Sequence, residues 1–345
     1  FGIFDHVEQT TSTGQLHQLF NERMRLLEAA DEAGFWGYHV AEHHFTPLSM
    51  APSQNVYLAA AAARTKRIRL GPLVYLLPFY HPLRLIEEIA MLDNLSGGRL
   101  EIGVGRGVSP FELALWGIPF LEAQERYDEA LEVIVNGLRN DRLTHRGRYY
   151  QFDNVPMELR PMQRPNPGFW YGCMSERSTT YAARHGMNMV LIGPAARAGE
   201  LVRLYREIRA KGIETRDNLN PHLSAPKISI QRHIYVAASE REAEEVGRAA
   251  YNALYDNLEK LWRDFHVLVQ DFSPDYDVVR KAGGNIIGTV SSVRDQLADV
   301  IEQVGCDYVV LPFAWGNLSA EQTRRSFDLF VEKVMPDFVL RDKAA

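Results

Sequence analysis

Cysteine is scarce in this chain of 345 residues, which contains only Cys173 and Cys306. Two cysteines so far apart exclude a disulfide-rich scaffold and a four-cysteine zinc site. Low cysteine content is typical of the reducing cytoplasm, which we take as the expected location. Long apolar runs are also lacking: no stretch approaches the roughly 18 consecutive apolar residues of a membrane helix. The opening residues, 1–4, show neither the basic nor the apolar region of a secretory signal, so neither a membrane span nor a signal peptide is expected.

Positive charge is in deficit. Lysine and arginine number 38 against 44 aspartate and glutamate residues, which gives a net charge of −6. Nucleic-acid-binding proteins usually carry a strongly basic face, so binding to nucleic acid is not expected. Hydrophobic residues make up 46% and charged residues 24% of the chain, proportions that are typical of a globular protein.

The chain does contain a regular alternation of short apolar segments with longer helical patterns. Eight segments read as strands, and a helical pattern follows each of them. The predicted strands are Phe1–Asp5, Gly37–Glu42, Ile68–Tyr75, Leu100–Gly105, Phe169–Cys173, Met187–Ile192, Ile228–Val236 and Tyr308–Phe313. Such alternation predicts an α/β fold with a parallel sheet and right-handed crossovers. Eight units predict closure into a (β/α)8 TIM barrel, as a single domain over residues 1–345.

Two stretches exceed the needs of a minimal barrel. Residues 137–167 predict a loop-rich insertion. Residues 250–288 are charged and aromatic, precede the last strand and end near Gly283 and Gly284. An insertion at that place lies near the barrel mouth, where it forms either a lid over a site or a solvated helical decoration. The sequence leaves both readings open.

The second strand ends in Glu42, His43 and His44. Adjacent side chains on an extended segment point to opposite sides, so only one of the two histidines readily faces a pocket. A metal site needs three or four converging ligands, and no His-Glu-x-x-His or second histidine pair occurs, so we expect no metal. The remaining readings are an acid–base histidine or one held by local hydrogen bonds, and the neighbouring Glu42 favours the first.

Groups suited to phosphate follow the fourth and fifth strands. The fourth ends in 103–107, where three glycines allow a backbone or a flat ligand to approach closely and Arg106 can bind a phosphate. The dinucleotide-binding fingerprint fails at Val108. Ser175 and Ser178 precede a helix, where they can cap its first turn, and a helix N-terminus also attracts phosphate. A phosphate held by Arg106, Ser175 and Ser178 is therefore a concrete hypothesis.

Together these motifs resemble the bacterial luciferase-like flavin-dependent monooxygenase family. The order and spacing agree over about residues 1–190, and Gly288, Thr289 and Val293 extend the likeness. The segments that carry the resemblance are Ala41–Phe45, Leu77–Pro78, His81–Arg84, Leu92–Asp93, Ser96–Arg99, Gly103–Gly107 and Ser175–Gly186. The combination is specific, whereas any single segment is not.

The resemblance implies a TIM barrel that takes reduced FMN as a co-substrate from a separate NAD(P)H:flavin reductase. Oxygen then adds to the flavin to give a C4a-peroxide, which oxidises a small apolar organic substrate. It also implies a homodimer that forms through the helices of the second and third units. The sequence does not identify the substrate, since an aldehyde, a terpene or a sulfur compound would suit an apolar mouth.

Residue roles follow from the same resemblance. The catalytic set is His43 as the acid–base group, with His44 and Glu42 beside it. The phosphate-binding groups are Arg106, Ser175 and Ser178, and a non-proline cis peptide behind the flavin ring falls at Leu73–Val74.

Two departures from the family pattern count against light emission and leave the expectation of flavin binding intact. Luciferase proper has a reactive cysteine at the position of Gly105 and a glutamate at that of Met174. Two alternatives remain. One is a deazaflavin-dependent oxidoreductase that transfers hydride on the same barrel, whose relatives usually carry a different end of strand two. The other is a non-catalytic flavin-binding partner subunit, which lacks the histidine present here as His43.

Overall fold

The structure is a computed structural model that describes residues 1–10, 12–212, 218–267 and 273–339. The strands are β1 (Gly2–Asp5), β2 (Gly37–Val40), β3 (Arg69–Pro72), β4 (Tyr75–Leu76), β5 (Glu101–Gly105), β6 (Arg142–Arg146), β7 (Gln151–Pro156), β8 (Gly168–Cys173), β9 (Asn188–Leu191), β10 (Ile228–Gln231), β11 (His233–Val236), β12 (Asn285–Gly288) and β13 (Tyr308–Leu311). The helices are α1 (Leu16–Ala33), α2 (Gln54–Arg64), α3 (Pro82–Leu95), α4 (Pro110–Leu115), α5 (Ala123–Arg139), α6 (Glu176–Arg184), α7 (Ala195–Ala210), α8 (Glu240–Asp264), α9 (Tyr276–Lys281), α10 (Val290–Val304), α11 (Ala320–Lys333) and α12 (Pro336–Val339).

Nine parallel strands form a nearly closed barrel in the order β3-β2-β1-β13-β10-β9-β8-β5-β4. An isolated bridge joins Leu70, in β3, to Leu100, which directly precedes β5. The predicted third strand is two strands, because β3 pairs with β2 whereas β4 pairs with β5. The two strands therefore share one position, and eight positions surround the axis. The single-domain α/β barrel predicted from the alternation is confirmed.

The barrel separates two apolar layers. Its interior holds a small cluster that includes Leu73, Trp170, Tyr308 and Val310. A much larger core lies between the outer faces of the strands and the surrounding helices. Parallel strands are covered on both faces in this way, which is why their sequences are apolar at most positions.

The seventh predicted strand, Ile228–Val236, is wrong as a single element. Its first half, β10, pairs with β9 and β13 inside the barrel. Its second half, β11, pairs with β12 in a separate two-stranded parallel sheet. Arg232 lies between the halves, is buried, and donates to the carbonyl oxygens of Gln231 and Gly193, at 2.8 Å each.

The two long stretches are more regular than the sequence indicates. Residues 137–167 contain the end of α5 and an antiparallel hairpin formed by β6 and β7. Residues 250–288 contain α8 from residue 250 to its end, then α9 and β12, while residues 268–272 lie outside the described residues. That this stretch forms a lid over the site stays a prediction.

We call β11, β12, α8 and α9 the annex. It has an apolar core of its own, which includes Tyr235, Tyr251, Tyr276 and Ile287 and extends to Trp315 after β13.

Within the described parts of the chain, no helix is both long enough and apolar enough to cross a membrane.

Candidate active site

The carboxyl ends of the barrel strands bring the predicted residues to one mouth. His43 follows β2, Arg106 follows β5 and Ser175 follows β8, and all three strands run in the same direction around the barrel. Loops at this end of a barrel are where such folds build their sites, because they surround a common opening.

His43 faces a carboxylate from a helix that the sequence analysis did not predict. Its Nδ1 lies 3.3 Å from Oε1 of Glu112, which belongs to α4. Ser109 caps α4 by accepting the N–H of Glu112 at 3.2 Å. The His43 side chain is 23% exposed, whereas that of Glu112 is 3% exposed. Glu112 therefore contacts the Nδ1 side of the His43 ring, while part of the ring stays exposed to solvent.

His44 and Glu42 form a separate buried pair. His44 Nε2 donates to Glu42 Oε1 at 2.9 Å, and its ring meets those of Phe79 and Trp116 edge-on. Glu42 also accepts from Tyr80 Oη at 2.8 Å and from the N–H of Leu76. Burial raises the pKa of Glu42, although these hydrogen bonds act in the opposite direction. The pair joins the end of β2 to residues 76–80, and its contacts differ from those of His43.

His6 lies near His43, and His233 is close enough to His6 to lower its pKa; the sequence analysis missed both histidines. The ring of His6, just after β1, has its centroid 5.7 Å from that of His43. Burial, His43 and His233 lower the pKa of His6 well below its usual range. His233, at the start of β11, contacts the Trp315 ring at 4.8 Å, and burial together with Arg232 lowers its pKa to about 3. Ranking polar residues by strand end could have found His6, which directly follows the first strand.

The Leu73–Val74 peptide bond is cis, as the resemblance predicts. The glycines of β5 explain how this segment fits. A Cβ on Gly103 would lie 2.4 Å from the carbonyl oxygen of Pro72, and one on Gly105 would lie 2.5 Å from Val74 Cγ2. Glycine at these two positions therefore leaves space for residues 72–74 of the neighbouring segment. The sequence analysis predicts that glycines here allow a backbone or a flat ligand to approach closely, and the backbone does so.

Arg106 is a cation that has no acidic partner among the described residues. Its Nε donates to the carbonyl oxygen of Gly107 at 3.3 Å, and its guanidinium lies 5.2 Å from the centre of the Phe120 ring. In the described ranges it makes no ion pair with an acidic side chain. Because β5 and β8 are paired, with Val104 opposite Tyr171, the loops that follow them are neighbours.

Ser175 and Ser178 cap α6 reciprocally. Ser175 Oγ accepts the N–H of Ser178 at 3.3 Å, and Ser178 Oγ accepts the N–H of Ser175 at 3.0 Å. Ser175 is exposed and Ser178 is half-buried. The two serines therefore cap α6, as one interpretation of the sequence predicts. The positive end of the α6 dipole faces the same mouth as Arg106.

The mouth has room for a flat ligand. Gly172 lies two residues after Trp170 and on the same face of β8, and a Cβ placed on it would meet no atom within 4 Å. An apolar floor, an open space and a cation beside a helix N-terminus fit an aromatic ring with a terminal phosphate, as in FMN. Across the described residues, no group of three or more histidine, cysteine, aspartate or glutamate side chains could hold a metal ion.

Comparison with known proteins agrees with this geometry. The sequence model of luciferase-like monooxygenases matches residues 1–308. An uncharacterized protein of Sinorhizobium fredii, y4wF, is 37% identical over 320 residues, which cover 92% of this chain and 91% of that protein. The oxygenase component of the flavin-dependent trigonelline monooxygenase of Acinetobacter baylyi is 28% identical over 351 residues, which cover 98% and 95% of the two chains.

A solved structure extends the likeness to three dimensions. The monooxygenase RslO1 from Streptomyces bottropensis superposes with a TM-score of 0.85 at 28% identity. The match covers 98% of this chain and 99% of that one. The barrel, its order of strands and its additional segments are therefore those of a monooxygenase fold.

Proposed function

The chain belongs to the luciferase-like monooxygenase family, and from this premise we propose that it is the FMN-dependent oxygenase component of a two-component system. It uses reduced FMN and O2 to oxidise a small apolar organic compound. The observation that carries the proposal is the convergence at one barrel mouth of His43, the N-terminus of α6 and Arg106, which has no acidic partner among the described residues.

The flavin phosphate is the proposed ligand of Arg106, Ser175 and Ser178. An unpaired guanidinium and the free N–H groups of a helix N-terminus both favour an anion, and charged hydrogen bonds contribute about 1.5–3 kcal/mol each. Leu73 and Val74 lie next to the apolar floor, where the ring of the flavin fits. Reduced FMN supplies the electrons with which O2 is activated.

His43 is the proposed acid–base group. Its Nδ1 is held by Glu112, and its other ring nitrogen, Nε2, is left to hold or move a proton at the mouth. A positioned acid–base group contributes roughly 10²–10⁴-fold to a rate. The apolar floor has the complementary task of excluding water, which would otherwise divert activated oxygen to hydrogen peroxide.

Partners and location belong to the same proposal. The relative from Acinetobacter baylyi is named an oxygenase component, which supports a separate flavin reductase that uses NAD(P)H. A homodimer is supported by three exposed apolar side chains on α2 and α3: Val56 is 73% exposed, Met91 52% and Leu95 61%. Light scattering of the purified protein tests the dimer. We place the protein in the cytoplasm, as its two free cysteines suggest.

The test combines ligand binding with coupled turnover. Anaerobic titration is expected to show tighter binding of reduced FMN than of reduced riboflavin, because only FMN carries the phosphate. With a flavin reductase, NADH and a panel of aldehydes, terpenes and sulfur compounds, one class is expected to be oxidised while release of hydrogen peroxide falls.

Two other outcomes would replace the proposal. Preferential binding of a deazaflavin, with hydride transfer and no substrate oxygenation, would assign the barrel to a deazaflavin-dependent oxidoreductase. Flavin binding that never lowers peroxide release, with any compound, would identify a non-catalytic partner subunit.

A further inference from the structure

Glu112 is a buried carboxylate that contacts two consecutive histidines, His43 and His44. Its Oε1 accepts the N–H of His44 at 3.0 Å and faces Nδ1 of His43 at 3.3 Å. Among the side chains that the structure describes, His43 is the only basic group that pairs with it. An ionised carboxylate buried in this way needs N–H donors, and the imidazole is the one donor that can also carry a compensating charge.

This contact sets the chemical character of the two ring nitrogens of His43. A neutral imidazole has one N–H, and a carboxylate at Nδ1 places the proton there, because a carboxylate only accepts hydrogen bonds. Nε2 then carries the lone pair. In the described parts of the chain Nε2 has no hydrogen-bond partner, and the neighbouring ring, His6, is uncharged at neutral pH because its pKa is strongly lowered.

We propose that Glu112 is the positioning residue of His43: it selects the Nδ1–H tautomer and stabilises the imidazolium that forms when Nε2 takes a proton. The inference rests on the acid–base role proposed for His43, and it adds a residue from α4 to the machinery. Glu42 does not share this task, because its carboxylate is engaged by His44, Tyr80 and the N–H of Leu76.

The chain offers a matched control. Glu129 Oε1 lies 3.3 Å from Nε2 of His145, the same separation as in the Glu112–His43 pair. Glu129 lies on α5 and His145 on β6, and neither element carries a proposed site residue. Glu129→Gln therefore removes a comparable carboxylate–histidine contact without touching the site.

The experiment reads the tautomer directly, without flavin. Nitrogen-15 NMR of histidine-labelled protein resolves the imidazole nitrogens among the 11 histidines, and His43→Ala assigns the signal of His43. The wild-type protein is expected to show the Nδ1–H form. Glu112→Ala is expected to lose that preference, Glu112→Gln to keep it through its amide oxygen, and Glu129→Gln to leave it unchanged.

Kinetics complete the test. Both Glu112 variants are expected to lower kcat for substrate oxidation by about 100-fold, since both lack the charge that stabilises the imidazolium, while the Kd for FMN stays within about twofold. An unchanged His43 spectrum in Glu112→Ala would overturn the proposal, and so would an unchanged kcat in Glu112→Gln with His43→Ala inactive. If the tautomer shifts while His43→Ala still oxidises substrate at the wild-type rate, it is the role of His43 that fails. If Glu112→Ala does not fold, Glu112→Gln alone decides through kcat.

Discussion

The two ends of the barrel contain charged side chains that differ in how completely they are paired within the protein. At the amino end, Glu101 accepts the indole N–H of Trp170 at 2.6 Å and pairs with Arg69, which also donates to Gln163 at 2.7 Å. Glu101 and Arg69 are thus paired with each other and with further groups inside the protein. At the carboxyl end, Arg106 has no acidic partner among the described residues, and Nε2 of His43 has no hydrogen bond there.

The difference separates stability from function. A polar group whose hydrogen bonds are all made inside the protein stabilises the fold and has nothing left for a ligand. A group with unused hydrogen-bonding capacity contributes less to the fold and is available for binding. Changes at Glu101 and Arg69 should therefore alter the free energy of unfolding, and changes at His43 and Arg106 should alter binding or turnover.

The largest effect is expected for His43→Ala at the carboxyl end. Loss of the acid–base group should lower the rate of substrate oxidation by roughly 10²–10⁴-fold, measured with a flavin reductase and product analysis. The free energy of unfolding should fall by no more than about 1–3 kcal/mol, because Glu112 loses one partner. Turnover at the wild-type rate would remove His43 from the mechanism.

Glu101→Ala tests the amino end. Removing one member of a buried, hydrogen-bonded pair leaves Trp170 without its acceptor and Arg69 without its counter-ion, at a cost of about 3–5 kcal/mol in urea unfolding. At a temperature where the variant is folded, kcat should match the wild type. A loss of turnover without a loss of stability would contradict the division between the ends.

The buried carboxyl group of Glu8, near the mouth, is expected to make the stability of the protein depend on pH. It accepts hydrogen bonds from Asn257 at 2.8 Å and from the N–H of Gly316 at 2.6 Å, yet burial raises its pKa from 4.5 to about 7. The folded protein thus holds a proton that the unfolded chain releases. Its contribution to stability is complete below pH 4.5 and is lost as the pH rises to about 7.

The size of this effect is about 3 kcal/mol over the window, at no more than about 1.4 kcal/mol per pH unit. Denaturant unfolding at a series of pH values measures it, and Glu8→Gln should flatten the dependence because an amide does not titrate. An equally steep dependence in Glu8→Gln would assign the effect to another group.

The smallest effect is expected for Arg106→Ala. Loss of one charged hydrogen bond should raise the Kd for FMN by about 10- to 100-fold while leaving that for riboflavin unchanged. Arg64, which pairs with Glu28 at 2.7 Å on the outer surface, supplies the control, and Arg64→Ala should not change either Kd. Equal weakening of FMN and riboflavin would mean that Arg106 does not contact the phosphate.

The sequence was sufficient where a pattern extends over many residues. The repeated alternation predicted the barrel, and the position of a residue after a strand predicted that His43, Arg106 and Ser175 share one mouth. Glu112 was beyond reach, because α4 has only six residues and no periodicity, and its carboxylate meets a histidine 69 positions away only once the barrel closes.

The division of Ile228–Val236 into β10 and β11 was also not predictable from local signals. Both halves are mostly buried and contain apolar residues. The polar residues Gln231, Arg232 and His233 interrupt the apolar pattern at the break, but they do not identify the new partner, β12, which lies about 50 residues downstream.

The separate sheet and core of the annex have consequences for local unfolding and for the evolution of the barrel mouth. Within the described chain, β11 and β12 form a sheet of their own, and Trp315 connects it to the mouth by donating to the carbonyl oxygen of Ile234 at 3.0 Å while its ring contacts His233. A unit with its own core can exchange its amide hydrogens through a partial opening that leaves the barrel intact. Over evolutionary time the same independence lets one wall of the mouth be rebuilt while the opposite wall, with Arg106 and Ser175, stays unchanged.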